Sequence, residues 1–127
     1  MTITNWGKQR VALWLAGSTT AYPSYLMIGS GSGTVVTTQT ELIYPADRQT
    51  ITSANGSTSY KVKWIGDWSS VTLSGLDPVN GFHFTEWGMC IDEADLTGSM
   101  WSRTAMPNAI VFDGTTELRV QEVWEVY

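Results

Sequence analysis

Apolar positions near the start of the chain recur at helical spacing. Val11, Trp14 and Leu15 fall at i, i+3 and i+4, and Thr4 or Asn5 can cap a helix over about 5–16. Gly17 follows, where a left-handed C-cap is favoured. Ser18–Ala21 is a polar loop, and Pro23 opens a strand, Tyr25–Ile28, that stops at Gly29. From there the period is two. Arg48–Ser53 is β-branched, Asn55-Gly56 is a turn signal, and Tyr60–Ile65 is the expected partner strand. In that strand Tyr60, Val62 and Trp64 share one face while Lys61 and Lys63 share the other, the pattern of a half-buried strand. Val71–Leu73 reads as a short strand and residues 75–81 as a loop. Phe82–Ile91 and Ser99–Met106 read as strands joined by the acidic loop 92–98. Asp113-Gly114 is a hairpin signal between Ala109–Phe112 and Leu118–Tyr127. In the last strand Leu118, Val120, Trp124 and Val126 share one parity, interrupted by Glu122. The pattern predicts a mainly β protein, an antiparallel β-sandwich of about seven strands with one short N-terminal helix, in a single domain over 1–127.

Composition narrows the partners. The chain has 127 residues, 43% hydrophobic and 15% charged, which marks a folded, sparsely charged protein. Net charge is −5 and Lys/Arg residues are not clustered, so nucleic acid is not an expected partner. The longest apolar run, Val11–Ala16, is too short to span a bilayer, and Met1–Asn5 does not resemble a secretory leader. One cysteine, Cys90, allows no internal disulfide and fits assembly in a reducing cytoplasm.

Motifs for chemistry are sparse. Gly29, Gly31 and Gly33 form GxGxG after a strand, but no Lys-Ser/Thr pair follows, and the β-branched stretch after Gly33 is a poor helix start. The loop reads as a bend or a close backbone approach rather than a phosphate cradle. Asp92, Glu93 and Asp95 lack the alternate spacing of a calcium loop. His83 is the only histidine, and with Cys90 it falls short of a zinc ligand set. Glu86, Asp92 and Glu122 could supply acid chemistry, but no spacing selects a pair. Glu86 and Glu122 each interrupt an apolar strand face, which predicts a strand edge or an interface contact. The expectation is a protein that is not an enzyme and has no metal or cofactor.

Seven tryptophans divide by position. Trp14, Trp64 and Trp124 lie on predicted apolar faces and are expected in the core. Trp6, Trp68, Trp87 and Trp101 lie near element ends or beside glycine and are expected on a partner surface, with Gly29, Gly31 and Gly33 near a subunit contact.

Four segments, in order, resemble the tail-collar fibre and baseplate-attachment proteins of phages. They are "NWGKQRVALWLAG", "PSYLMIGSGSG", "TELIYPADRQTI" and "FTEWGMCIDEADLTGSMWSRTAMP". Thr40, Leu42, Asp47 and Arg48 stand in the matching places of the third segment; Glu86, Gly88, Met89, Asp92, Met100 and Arg103 do so in the fourth. The resemblance implies a non-catalytic virion protein of a tailed phage, assembled in the host bacterial cytoplasm. It implies framework roles for Gly29, Gly31, Arg48 (paired with an acidic group), Glu86 and Gly88. Other virion proteins would be its partners, in a homo-oligomer such as a trimer or ring. With no shaft or receptor-binding tip before Tyr127, the expectation is a short adaptor, collar or fibre-type subunit of the tail or neck. Capsid decoration is a variant of that reading. A carbohydrate-binding sandwich, stacking a host glycan on surface tryptophans, is its rival in another class.

Overall fold

The structure is a computed structural model that describes residues 2–18, 23–39, 41–56, 61–90, 100–112 and 114–125, with backbone alone for 53–56. Its elements in chain order are β1 (Thr2–Ile3), α1 (Asn5–Leu15), β2 (Tyr25–Gly29), β3 (Pro45–Thr50) and β4 (Ser53–Gly56), then β5 (Lys61–Trp68), α2 (Ser70–Leu76), β6 (Phe82–Cys90), β7 (Met100–Phe112) and β8 (Leu118–Glu125). Two antiparallel sheets result, one ordered β1-β7-β6-β2-β3 and the other β4-β5-β8. The expected mainly β, two-sheet architecture with a short N-terminal helix is therefore present.

The sheets face each other across one apolar core. Leu26 and Ile28 of β2 meet Trp64 and Trp68 of β5, with Phe84, Met89, Trp101 and Val120 completing it. Full burial of each such aliphatic side chain contributes about 1.5–3 kcal/mol. The sheets approach so closely at Gly66 that a Cβ there would lie 3.0 Å from Leu26 Cδ1. A smaller cluster of Met27, Leu42, Cys90 and Met100 packs on the outer face of the first sheet. Met27 alternates with Leu26 and Ile28, so it points away from the main core.

Helix α1 starts where Thr4 Oγ1 accepts the Gly7 amide, and Gly17 turns the chain out with φ of 70°. Its inner stripe is Trp6, Val11 and Trp14 rather than the expected Val11, Trp14 and Leu15, because Leu15 is exposed. The expected strand at Val71–Leu73 is helical. Ser69 caps α2 by accepting the Thr72 amide at 3.2 Å, and Leu73 and Leu76, three apart, turn to the core. Cap and stripe outweigh the β-branched Val71 and Thr72.

Three expected boundaries move. Arg48–Ser53 is not one strand: Ile51 and Thr52 carry the chain from β3 in the first sheet to β4 in the second, with the Thr52 amide donating to Ile65 O at 2.8 Å. Asn55 and Gly56 pair with Lys63 and Val62, so they stand within β4 rather than in the turn they signalled; residues 57–60 lie outside the described residues. Asp113-Gly114 does not join a hairpin, because β7 and β8 lie in different sheets; Gly114, with φ of 96°, marks the crossing. The strands expected at Ser99–Met106 and Ala109–Phe112 are one interrupted strand. Phe84 pairs with Ile110 and Glu86 with Ala105, so Met106–Ala109 bulges out around Pro107. The loop 92–98 lies outside the described residues.

The two sides of the sandwich differ. One is bridged by the chain passing from β3 to β4. On the other, no strand among the described residues pairs with the outer edge of β8, or with β7 beyond Arg103.

Candidate functional site

Two polar centres lie within the protein, one on each face of the first sheet. The outer one is built on Glu86. In β6 the bulge opposite Thr85 reverses the alternation: Phe84 faces the core, whereas Glu86, two residues on, pairs with Gly29 and faces outward. The segment after β2 then folds over its carboxylate. The amides of Gly31 and Tyr44 donate to Oε1 at 3.1 and 2.8 Å, and that of Ile43 donates to Oε2 at 3.1 Å. Arg103, from the neighbouring β7, approaches Oε2 with Nε at 2.9 Å and Nη2 at 2.8 Å. Both side chains are fully buried. Arg103 Nη1 also donates to Gly33 O at 3.3 Å and Gln39 Oε1 at 3.4 Å, so the guanidinium ties down the far side of the loop.

The glycine-rich loop thus does wrap an anion, but one the chain supplies itself. A Cβ on Gly31 would lie 2.6 Å from Glu86 Oε1 and 2.7 Å from the Tyr44 amide. Gly88 lets β6 and β7 close up, since its Cβ would lie 2.5 Å from Ser102 O. Gly33 takes φ of 143° and is exposed, as expected of a bend. Gly29 and Gly31 are buried under the segment that covers Glu86, so of the three glycines expected near a subunit contact Gly33 alone is exposed. Arg48 stacks its guanidinium over the Tyr25 ring at 4.8 Å, and Arg103 pairs with the Glu86 carboxylate.

The second centre lies between the sheets. Glu122 of β8 is only 3% exposed, and Ser102 of β7 donates to its Oε1 and Oε2 at 2.9 and 2.7 Å. This contact crosses from one sheet to the other. Burial raises the Glu122 pKa to about 7, against the hydrogen bonds from Ser102 and Trp124 that favour the carboxylate. Beside it is a cavity of about 220 Å³ lined by Trp87, Thr104, Gln121, Glu122 and Val123. Trp87 and Thr104 are cross-strand neighbours. The Trp87 indole N–H and the Thr104 hydroxyl are both buried without a hydrogen-bond partner among the described residues. Glu86 and Glu122, expected at a strand edge or an interface contact, are both buried: Glu86 lies on the inner strand β6, and Glu122 on the edge strand β8 with its side chain turned in.

The tryptophans sort differently from expectation. Trp64 is buried as expected, while Trp14 and Trp124 are half-buried against the core. Trp68 and Trp101, expected on a partner surface, are 1% and 0% exposed. Trp68 bends inward and donates from Nε1 to Asp47 at 3.1 Å. Trp101 is the extra residue of a β7 bulge and becomes a hub, with ring centroids 5.2 Å from Trp6, 4.7 Å from Trp14 and 6.4 Å from Trp124. Trp6 and Trp87 stay half-buried, so they alone of the four retain some surface.

The remaining candidates do not assemble. His83 is exposed, with Nδ1 2.9 Å from Gly81 O, and Cys90 is buried. The described residues form no cluster suited to a metal, and no described helix is long and apolar enough to cross a membrane. Asp92, Glu93 and Asp95 lie outside the described residues. A surface cavity of about 540 Å³ runs between Asp67–Ser69 and Glu117–Arg119, where Asp67 and Arg119 satisfy each other at 2.7 Å. No protein-family model, curated protein or solved structure matches this chain.

Proposed function

We propose that this chain is a structural subunit of a tailed-bacteriophage virion, of the tail, neck or collar, that acts by protein–protein packing rather than catalysis. The observation that carries this reading is a convergence. Gly31, Leu42, Glu86, Gly88, Met100 and Arg103 come from three of the four segments that resemble attachment proteins. They meet on one face of one sheet, around a buried ion pair and the cluster beside it. Such a spatially closed set is what a shared framework requires, and it accounts for weak motifs kept in order over so much of the chain.

The contacts of the proposed subunit would lie on the open side of the sandwich. Pro107–Val111 is five consecutive exposed residues, with Ile110 and Val111 half exposed and Val123 of the β8 edge close to that. Free edges with apolar side chains favour a neighbour over water. The neighbours would be other virion proteins or further copies in a trimer or ring. Capsid decoration is the same chemistry at another place on the particle.

Peptide mass spectrometry of purified particles is the test. The chain should be present at a copy number that matches a particle symmetry, and Ile110→Asp with Val111→Asp should lower its incorporation at unchanged circular dichroism. A chain absent from particles would end this reading.

A further inference from the structure

The open seam between β7 and β8 presents two strand edges, and they differ. Beyond Arg103, β7 carries Pro107 and the Met106–Ala109 bulge, devices that keep an edge from pairing. Strand β8 carries neither: it pairs with β5 in unbroken register from Leu118 to Glu125 and contains no Pro, Gly or Lys. Its backbone direction follows from β5. Ile65 O accepts the Thr52 amide on the β4 side, so the even-numbered residues of β5 turn their N–H and C=O groups toward β8. Those residues face Val120, Glu122 and Trp124. The N–H and C=O groups of Arg119, Gln121, Val123 and Glu125 therefore point to the open edge. The side chains of the same residues are exposed on the outer face of the sheet.

Their order is self-complementary. Laid antiparallel on a second copy about an axis at Glu122, β8 sets Arg119 opposite Glu125 and Gln121 opposite Val123, and each outward backbone group meets a partner. Within the chain Lys61 already lies across from Glu125, and Asp67 across from Arg119. Through both copies the row runs Lys61, Glu125, Arg119, Asp67, alternating in sign, and opposite charges across strands stabilise. Arg119 gives Nε and Nη2 to Asp67, and a guanidinium has further donors for a second carboxylate. A shift of two residues one way sets Glu117 against Glu125, and two the other way takes Glu125 off Arg119. On the inner face Val120 comes opposite Trp124. Glu122 comes opposite itself, with its carboxyl turned between the sheets onto Ser102. Burial raises its pKa to about 7, so at about pH 6 the two carboxyls meet largely uncharged. We propose that the partner at this seam is a second copy of this chain, joined β8 to β8 in one antiparallel sheet about a two-fold axis. This rests on the reading of the open side as a contact face, and two-fold pairs build dihedral rings as well as dimers.

The test is sedimentation equilibrium of the whole chain at about pH 6, up to about 1 mM because an edge contact of this extent belongs to the weak class. The mass should rise toward twice 14.0 kDa. Amide exchange at Gln121 and Val123 should slow with concentration, while Val120 and Glu122 stay protected throughout. Arg119→Glu and Glu125→Arg should each weaken association about tenfold or more, because like charges then face each other at both ends of the pairing. An equal mixture of the two variants restores both opposite-charge pairs and should recover affinity to within about threefold. Val123→Pro, whose lost N–H faces the open edge, should abolish association at unchanged circular dichroism. If that variant fails to fold, the charge mixture decides alone. A monomer at every concentration, association that survives Glu125→Arg, a mixture that stays monomeric, or exchange protection gained on other strands overturns the proposal. A monomer whose Ile110→Asp, Val111→Asp variant still drops out of particles overturns this pairing and leaves the virion reading standing. A dimer from a chain absent from particles does the reverse.

Discussion

Replacing Glu86 with glutamine removes one charge and almost no volume, which makes it the sharpest probe of the outer polar centre. Oε1 accepts the Gly31 and Tyr44 amides; Oε2 accepts the Ile43 amide and faces Arg103 Nε and Nη2. A carboxamide has one acceptor oxygen. Whichever way it flips, its NH2 group points at two or more donors. With the amide nitrogen at the Oε1 position, Gly31 and Tyr44 lose their acceptor. With it at the Oε2 position, the Ile43 amide and the buried Arg103 guanidinium lose their acceptor; in either orientation Arg103 loses its counter-charge. Breaking a buried pair from one side costs about 3–5 kcal/mol. Against a total stability of about 5–15 kcal/mol, that is a large share. With a urea m-value of about 1.5 kcal/mol/M, the midpoint should fall by roughly 2–3 M. Tryptophan fluorescence suits the measurement, because Trp101 and its ring partners sit on the opposite face and report global unfolding. Glu86→Gln with Arg103→Met should be less damaging than the two single changes summed, since the stranded charge is gone. A Glu86→Gln midpoint within about 1 kcal/mol of the unaltered protein would refute the reasoning.

Asp67→Asn, at the exposed pair with Arg119, should leave the same midpoint unchanged, because solvent screens both partners. Gly88→Ala should destabilise by about 1–3 kcal/mol, since its Cβ would lie 2.5 Å from Ser102 O and 2.9 Å from Met100 Sδ. Gly75→Ala, inside α2 with open space around the new methyl, should stabilise by up to about 1 kcal/mol in thermal melts. Glu122 sets a pH slope: its folded pKa of about 7 lies above the ordinary value of 4.5, so the unfolded chain gives up this proton first. The contribution is therefore full below about pH 4.5 and is lost as pH rises toward 7, by roughly 3 kcal/mol in all. Urea midpoints in Glu122→Gln should lack this component, and an unchanged slope between about pH 5 and pH 8 would refute it.

Local chemistry was readable wherever it stayed local. The Thr4 cap, the inward parity of Val62 and Trp64, and the alternation of Leu118, Val120 and Trp124 all follow from residues close in sequence. The polar centres depended on pairings far apart. Glu86 was visible as a carboxylate in an apolar strand, but its face was not, because the Met106–Ala109 bulge that reverses the alternation belongs to the partner strand. GxGxG could be rejected as a phosphate loop, yet nothing adjacent to it announced that Glu86, 55 residues from Gly31, fills it. Trp68 and Trp101 were misplaced for related reasons. A strand end resembled a surface until Asp47 took the Trp68 N–H, and a bulge turned Trp101 inward. One signal for the seam was present: Glu122 alone breaks the parity of its strand. Its meaning needed Ser102 and Thr104, from the other sheet.

The pairing of β1 with Ser102 and Arg103 also orders events in time. A ribosome makes the first residues of this chain long before the strand that receives them. At about 5–20 residues per second, the hundred residues between cost roughly 5–20 s. Through that interval α1 carries Trp6 and Trp14 without Trp101, the ring they close upon. The β1–α1 segment thus emerges about a hundred residues before the strand that shelters it. Whatever attends this protein at birth, chaperone or neighbouring subunit, meets an aromatic N-terminal helix that the finished fold keeps half hidden.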